Sequence, residues 1–350
     1  MSRAASLLRR AHHRWQAGAT ARANRRLIVE QGRAVRPTLP DLALVIPVWN
    51  DAEGLARLLA VARRLGCFSQ IVVVDDGSDT PVTPEADVTL IRHDTPQGGG
   101  TARNVGLKQV RAEHVLFFDA DDLITDDLTD LLADLGGHLA AAGSFDVCLF
   151  KHADNRVAAE PRWGQPDWDE ALWARAGHAV GALAPARPGA LPILAQTANY
   201  PWNKIYRTAF LRDHGIGCAD TAVHQDIPLH WLGFLAGRLV LVSDRICAWH
   251  RVTAAGGRLT NRSGAERLQV FQALAPVAAA VGEADDPAWG AALAAFTLGL
   301  TDWIAARIDP AHLDALRAGE RAFLTDIVTH SALPEPLTVR IAARIGAAGA

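Results

Sequence analysis

From residue 42 to about 141, short unbroken apolar runs alternate with stretches of helical periodicity. The runs are Leu42–Val48 (LALVIPV), 71–75 (IVVVD), Val88–Arg92 and Val115–Asp119 (VLFFD). A run that is apolar at every position belongs to a strand covered on both faces, because a half-exposed strand alternates. Between the runs, Leu55, Leu58, Leu59 and Leu65 recur at helical spacing over 51–65. Gly98–Gly100 open a helix to about 111, and 126–141 form another. Such β/α alternation imposes right-handed crossovers, and hence a largely parallel sheet with helices on both faces. The expected class is α/β.

Beyond 141 the pattern changes. Between about 152 and 198 it weakens, with Pro161, Pro166, Pro185, Pro188 and Pro192 set among Gly and Trp. It returns at Trp202–Leu211, in a helical stretch at 226–236 and in strands at 239–243 and 246–250. From 264 the chain reads as helical and Ala-rich, a C-terminal extension. At the other end, residues 1–36 carry nine Arg against one Glu, a net +8, which leaves −11 on the rest of a chain whose total is −3. Three parts follow: a basic arm 1–36, an α/β domain 37–262 and a helical region 263–350. The arm reads as a solvated segment, or as one that touches an anionic membrane surface through its Arg and Trp15.

Composition removes several classes. With 49% hydrophobic and 21% charged residues, the chain is not intrinsically disordered. Basic residues are not interleaved with aromatics in the body, so no nucleic-acid partner is expected. Cys67, Cys148, Cys218 and Cys247 have no metal-ligand spacing and read as reduced, buried thiols of a cytoplasmic protein. No uninterrupted apolar stretch of ~18 residues occurs, and Trp289 to Leu300, closed by Asp286 and Asp302, reads as a buried core helix.

The acids fall where chemistry is expected. Asp75 and Asp76 end the second run, and Asp119, Asp121 and Asp122 end the fourth. Ligands of an open parallel sheet bind beyond the carboxyl ends of its strands, so two acidic clusters face one crevice. Clustered carboxylates raise one another's pKa unless a cation compensates them, and oxygen ligands suit Mg or Mn. The alternative is that these Asp serve as turn and cap residues, as Asp126 and Asp127 are expected to do.

The succession VIPVWND (45–51), VVVDDGS (72–78), GGGTARNVGL (98–107) and FFDADD (117–122) resembles the nucleotide-binding half of glycosyltransferase family 2, with the GT-A fold. WNKIYRTAFLRDHGI (202–216) and HQDIPLHW (224–231) resemble its second half, so the likeness covers about 42–260. The resemblance implies a metal-dependent, inverting transferase that takes a nucleotide-sugar donor, a UDP-sugar first, to a saccharide or lipid-linked acceptor. The setting it implies is surface polysaccharide or glycolipid synthesis, in the cytoplasm or at the inner face of the membrane.

It also implies roles. Pro47, Val48 and Asn50, with Asp51, would wall the nucleotide, and Asp75 or Asp76 would accept from base or ribose. Asp119 and Asp121 match D-x-D, holding ribose and metal, with Asp122 sharing that duty and His250 as a third metal ligand. Gly98, Arg103 and Asn104 would face an anion at a helix start, and Lys204 would meet a phosphate. Trp202 is either a sugar-stacking face or core filler. Arg251 would reach the diphosphate, and Arg258, Thr260 and Arg262 lie in a lid-like loop. Asp226 takes the place of the general base. One position departs from the pattern: the Glu often found before that Asp is Gln225 here, which can hydrogen-bond but cannot take a proton.

Two rivals remain. A non-catalytic GT-A relative that binds nucleotide sugar or a partner transferase is favoured by Gln225 and opposed by the complete D-x-D and by Asp226. A nucleotidyltransferase is opposed by the position of the Gly triplet, which does not follow the first strand. The same point argues against a Rossmann dehydrogenase.

Overall fold

The computed structural model describes residues 39–83, 85–156, 166–177, 183–251, 262–330 and 332–346. The basic arm, His178, and Arg258 and Thr260 of the lid-like loop lie outside the described residues.

Strand β1 (Leu42–Val48) is followed by α1 (Ala52–Leu65), β2 (Gln70–Asp75), β3 (Thr89–Arg92), α2 (Gly99–Gln109) and β4 (His114–Phe117). These four strands are parallel in the order β3-β2-β1-β4. Near-complete burial of β1, β2 and β4 explains their continuous apolar runs, while β3, at the edge of the sheet, is only half-buried. Helix α2 lies so close to β1 that a Cβ on Gly106 would come within 2.4 Å of the Val45 side chain.

The chain continues through β5 (Leu123–Ile124), α3 (Asp127–Ala142), β6 (Val147–Asp154), α4 (Asp167–Ala176), β7 (Ala184–Pro185), α5 (Leu191–Leu194), β8 (Lys204–Arg207), α6 (Thr208–Asp213), α7 (Ile227–Ala236) and β9 (Val240–His250). β8 inserts antiparallel between β4 and β6, and β6 pairs parallel with β9. The mostly parallel α/β sheet expected from sequence is present, with β8 inserted antiparallel and the short β5 and β7 added antiparallel to β9, none of which the pattern announced. The fourth run stops as a strand at Phe117, which leaves Phe118 and Asp119 in the loop. The two runs at 239–243 and 246–250 are one strand, since β9 spends eleven residues against eight of β6 and bulges at Phe150 to His152.

Asp146, just before β6, locks this half of the sheet. Its Oδ1 accepts from the Arg207 guanidinium at 2.5 and 3.2 Å, and its Oδ2 from the amides of Arg238 and Leu239 at 2.8 and 3.2 Å. Burial works against the charge, but Arg207 and the two amides outweigh it and hold the carboxyl below its usual range. A depressed folded pKa stabilises above the unfolded value and ceases to do so as pH falls through the folded one. Asp146→Ala is therefore expected to cost about 2–3 kcal/mol near neutral pH, from several orphaned donors. In urea unfolding the gap to the parent should narrow below about pH 4.

Helices α8 (Val270–Ala284), α9 (Pro287–Ala305), α10 (Leu313–His330) and α11 (Glu335–Gly346) complete the chain. One buried apolar cluster runs from Val45 and Val74 of the sheet through Trp231 of α7 to Leu274, Leu293 and Leu324 of these helices. The helical region thus shares its core with one face of the sheet. Helix α9 is long and apolar enough to cross a membrane by length and composition, and half of it is buried against the rest of the chain. All four cysteines are buried and unbridged.

Candidate active site

The strand directions bring the ends of β1, β2, β3, β4, β6 and β9, and the start of β8, to one edge of the sheet. Pro47 and Val48 end β1 there, half-buried and buried. Asn50 follows at φ 51°, in the left-handed region. Its amide donates to Ser78 Oγ at 2.9 Å, and its side chain exchanges hydrogen bonds with Asp79 at 2.8 and 3.0 Å. Asp51 accepts from Gly54 N at 2.9 Å and caps α1.

Asp75 is fully buried. Its Oδ1 accepts from Ser78 N at 2.9 Å, and its Oδ2 from Val82 N at 3.0 Å and from the Arg92 guanidinium. Burial opposes its charge, yet Ser78, the Val82 amide and Arg92 bring its pKa below the usual range. Asp76 Oδ1 accepts from Gln97 N at 2.9 Å and lies 2.7 Å from His93 Nδ1, while Oδ2 accepts from Gly98 N at 2.7 Å. Both carboxylates therefore bind the loops between β2, β3 and α2 into one wall. Gly98, at φ 95°, sits at the N-cap of α2. A Cβ on Gly100 would stand 2.6 Å from the Ala219 carbonyl, so glycine there lets α2 approach the 218–226 loop.

Across the edge, carboxylate oxygens of Asp119, Asp121 and Asp122 lie within 4.8 Å of one another. Asp122 is almost wholly buried. Its Oδ1 and Oδ2 are 3.0 and 3.2 Å from His250 Nδ1, and Arg251 N donates to Oδ1 at 2.9 Å. Burial raises the Asp122 pKa, with His250 pulling against it. Three hard oxygen donors converging on one point fit a divalent cation of the Mg or Mn kind. His250 stands behind Asp122 and orients it, so Asp122 joins Asp119 and Asp121 in the donor set gathered here.

Arg103 is nearly buried, its Nη2 donating to Asp119 Oδ1 at 2.5 Å, while its Nε and Nη1 have no hydrogen-bond partner among the described residues. Burial opposes its charge, but Asp119, Cys218 and Asp226 hold it above the usual arginine range. Asn104 is turned elsewhere, exchanging hydrogen bonds of 2.9 Å with the backbone of Cys218.

Asp226 takes the N-cap position of α7 without a side-chain capping bond. Its carboxyl is thus not spent on the helix it begins. Burial pushes its pKa up, Arg103 pulls it back, and Asp119 adds to the rise. Gln225 beside it is buried, with Oε1 unpartnered.

Lys204, at the start of β8, is fully buried and donates to Tyr200 O at 2.7 Å and Asn203 Oδ1 at 2.5 Å. Burial lowers its pKa to about 7 against the pull of Asp169 and Asp226. Burial likewise raises Asp169 to about 7, with Ala198 N on one oxygen and the other unpartnered. Trp202 is fully buried and stacks on Tyr200 at 4.4 Å, with His152 and His250 at 5.1 and 5.4 Å. Of its two sequence readings, core filler is the one its burial matches.

Sequence reasoning missed Asp154, at the end of β6, fully buried and paired with Arg156, which also reaches Tyr200 Oη at 3.2 Å. The rule that found Asp75 and Asp119 would have found it, had VCLFKHAD been read as a strand.

Residues 43–179 match the family model described as Glycosyl transferase family 2. That segment belongs to glycosyltransferase family 2. The chain is also similar to curated proteins. Over 91 residues it is 37% identical to the pre-mycofactocin glycosyltransferase of Mycobacterium tuberculosis, a match covering 24% of this chain and 18% of that protein. Over 132 residues it is 32% identical to the succinoglycan biosynthesis protein ExoO of Rhizobium meliloti, covering 35% and 38%. The chain thus spans less than two fifths of either relative. The crystal structure of S. aureus TarS 1-349 in complex with UDP-GlcNAc superposes with a TM-score of 0.63 at 21% identity, covering 85% of this chain and 83% of that one. The fold is the GT-A glycosyltransferase fold expected from the four motifs.

Proposed function

We propose that this chain is a metal-dependent, inverting glycosyltransferase that moves a sugar from a nucleotide-sugar donor to a hydroxyl of a saccharide or lipid-linked acceptor. The observation that carries the reading is the pairing of two separate acids. The Asp119, Asp121 and Asp122 oxygens gather at one point, and Asp226, not engaged in capping, is a separate acid that shares the Arg103 charge with Asp119. A divalent cation held by the three carboxylates would supply charge compensation for a departing diphosphate. Arg103 adds fixed positive charge in a nearly dry place, and Asp119 holds it there. Asp226 takes the proton of the acceptor hydroxyl. That oxygen attacks the anomeric carbon from the face opposite the diphosphate, whose bond to the sugar breaks and whose oxygen leaves with the electron pair. One displacement inverts the anomeric centre.

A UDP-sugar donor is supported by the UDP-GlcNAc bound to the similarly folded TarS, and a polysaccharide setting by the likeness to a succinoglycan biosynthesis protein. We assign the reaction to the cytoplasm, with the basic arm meeting the inner face of the membrane. The wall built by Asn50, Asp75 and Asp76 takes the nucleotide. Gln225 supports a second reading, a relative that binds donor without turnover.

The test is nucleoside diphosphate release from a panel of nucleotide sugars with Mn or Mg. Slow, metal-dependent hydrolysis of one donor supports the transferase. Metal-dependent binding without release, with and without candidate acceptors, supports the second reading. No binding of any nucleotide sugar sinks both.

A further inference from the structure

The loop 218–226, which delivers Asp226, is held from two sides. On the sheet side Asn104 grips the backbone of Cys218, and Thr101 Oγ1 meets Asp220 Oδ1 at 3.2 Å. On the other side the grips come from the segment after 262. Gln269 Oε1 accepts from Ala222 N at 2.6 Å, and Gln272 Nε2 donates to Asp220 O at 3.3 Å.

The third grip is on His224, two residues before Asp226. His224 stands at φ 61°, a left-handed conformation that disfavours a residue with a Cβ and persists only where its surroundings impose it. Its ring is largely buried and neutral, since burial and the adjacent Arg267 guanidinium push its pKa to about 3. A neutral imidazole nitrogen can accept, and Arg267 Nη1 donates to His224 Nε2 at 3.3 Å. Arg267 is itself 2% exposed, so its charge must be met inside the fold. Its Nε donates to Arg262 O at 2.8 Å, and its guanidinium lies 4.8 Å from the centroid of the Trp303 ring on α9. Arg307 lies over the same ring at 4.4 Å, and Trp303 meets His224 edge-on at 6.3 Å.

We infer that Arg267, held over Trp303, is a positioning residue for Asp226: by gripping His224 in its left-handed turn it sets where Gln225 and Asp226 leave the loop. The helices after 262 thereby complete the acceptor side of the site. The inference rests on the reading of Asp226 as the general base.

The experiment compares the full chain with Arg267→Met, which keeps volume and removes the charge, and with the double variant Arg267→Met/His224→Gly. Three readouts are taken: kcat for release from the best donor, binding of UDP with Mn, and backbone hydrogen exchange. Arg267→Met is expected to lower kcat about ten- to hundredfold while UDP affinity stays within about twofold, because a displaced base costs turnover and spares donor binding. Exchange should rise over 218–227 and stay unchanged in α2. Glycine accepts the left-handed turn without the grip, so the double variant should recover at least about threefold of the lost kcat.

Unchanged kcat, equal loosening throughout α8 to α10, or no recovery with glycine would overturn the inference. If Arg267→Met does not fold, Trp303→Leu, which removes the ring under the guanidinium, is read by the same kcat and exchange criteria. If the parent chain turns over no donor, the transferase reading fails by itself, and the exchange comparison still decides whether Arg267 holds the loop.

Discussion

Replacing Asp121 by Ala is expected to cut metal-dependent release of nucleoside diphosphate by about 10²–10⁴-fold, since compensation of leaving-group charge is worth several kcal/mol. The argument runs from crowding. Three carboxylates whose oxygens lie within 4.8 Å repel one another, and folding tolerates that only if something at the site rewards it. Asp121 is the second acid of the D-x-D pair and a member of the donor set gathered here. Asp119 also holds Arg103, and Asp122 also holds His250 and the Arg251 amide, so their loss would disturb more than the donor set. The Mn concentration giving half-maximal rate should rise in Asp121→Ala. A variant that keeps its rate within about threefold at equal Mn would remove the metal from this reading. In the same assay, Asp119→Ala should in addition weaken UDP binding, because it also leaves the buried Arg103 charge without its closest carboxylate.

The parts of the fold that could be read from sequence are those where burial is complete and local. β1, β2 and β4 were legible because each is covered on both faces and prints as an unbroken apolar run, and the half-buried edge strand β3 because Leu90 and Ile91 keep its run apolar. Asp119 and Asp121 were legible because strand ends in a parallel sheet are where ligands sit. β6 was not, because Lys151, His152 and Asp154 interrupt it, and they do so because this half of the strand lies in the site rather than in the apolar core. β9 read as two strands because Asp244 and Arg245 fall at its bulge, where extra residues leave the ladder.

The roles were harder to read than the positions. The apolar pattern does not say that Asp75 and Asp76 spend their oxygens on Ser78, Val82, Gln97 and Gly98, or that a fully buried Lys204 grips the Tyr200 carbonyl. Ser78 and Tyr200 lie only three and four residues away and are selected by the local turn, while the Gln97 and Gly98 partners are fixed by tertiary contacts that sequence spacing does not show. The same is true of Arg103. It follows a glycine run that invites an anion-binding reading, while its guanidinium is turned to Asp119 and lies near Asp226. The two readings agree on charge and differ on who receives it. The Gly98–Gly100 run likewise serves close approach, since Gly100 faces the Ala219 carbonyl.

The second large effect is expected at Asp226. Asp226→Asn should lower kcat by about 10²–10⁴-fold and leave binding of UDP with Mn within about twofold, the signature of a lost proton acceptor. The pH profile gives the sharper test. Burial raises the Asp226 pKa, Arg103 opposes the rise, and Asp119 adds to it, with the net displacement upward. A base works only when ionised, so the rate should climb with pH through a value above the ordinary carboxylate range of about 4. That acid limb should vanish from the residual activity of Asp226→Asn. Gln225→Glu adds a second negative charge at the neighbouring buried position. If that charge acts on Asp226, the limb moves further up, because like charge disfavours the ionised form. Gln225→Ala adds no charge and should leave the limb in place. If the limb survives in Asp226→Asn, the proton goes to another group. Asp154 and Asp169 would then be the next carboxylates to test, although Asp154 is tied to Arg156 and Asp169 is fully buried. Asp154 is engaged by Arg156 and Asp169 by the Ala198 amide, whereas the Asp226 carboxyl makes no capping bond to the helix it begins.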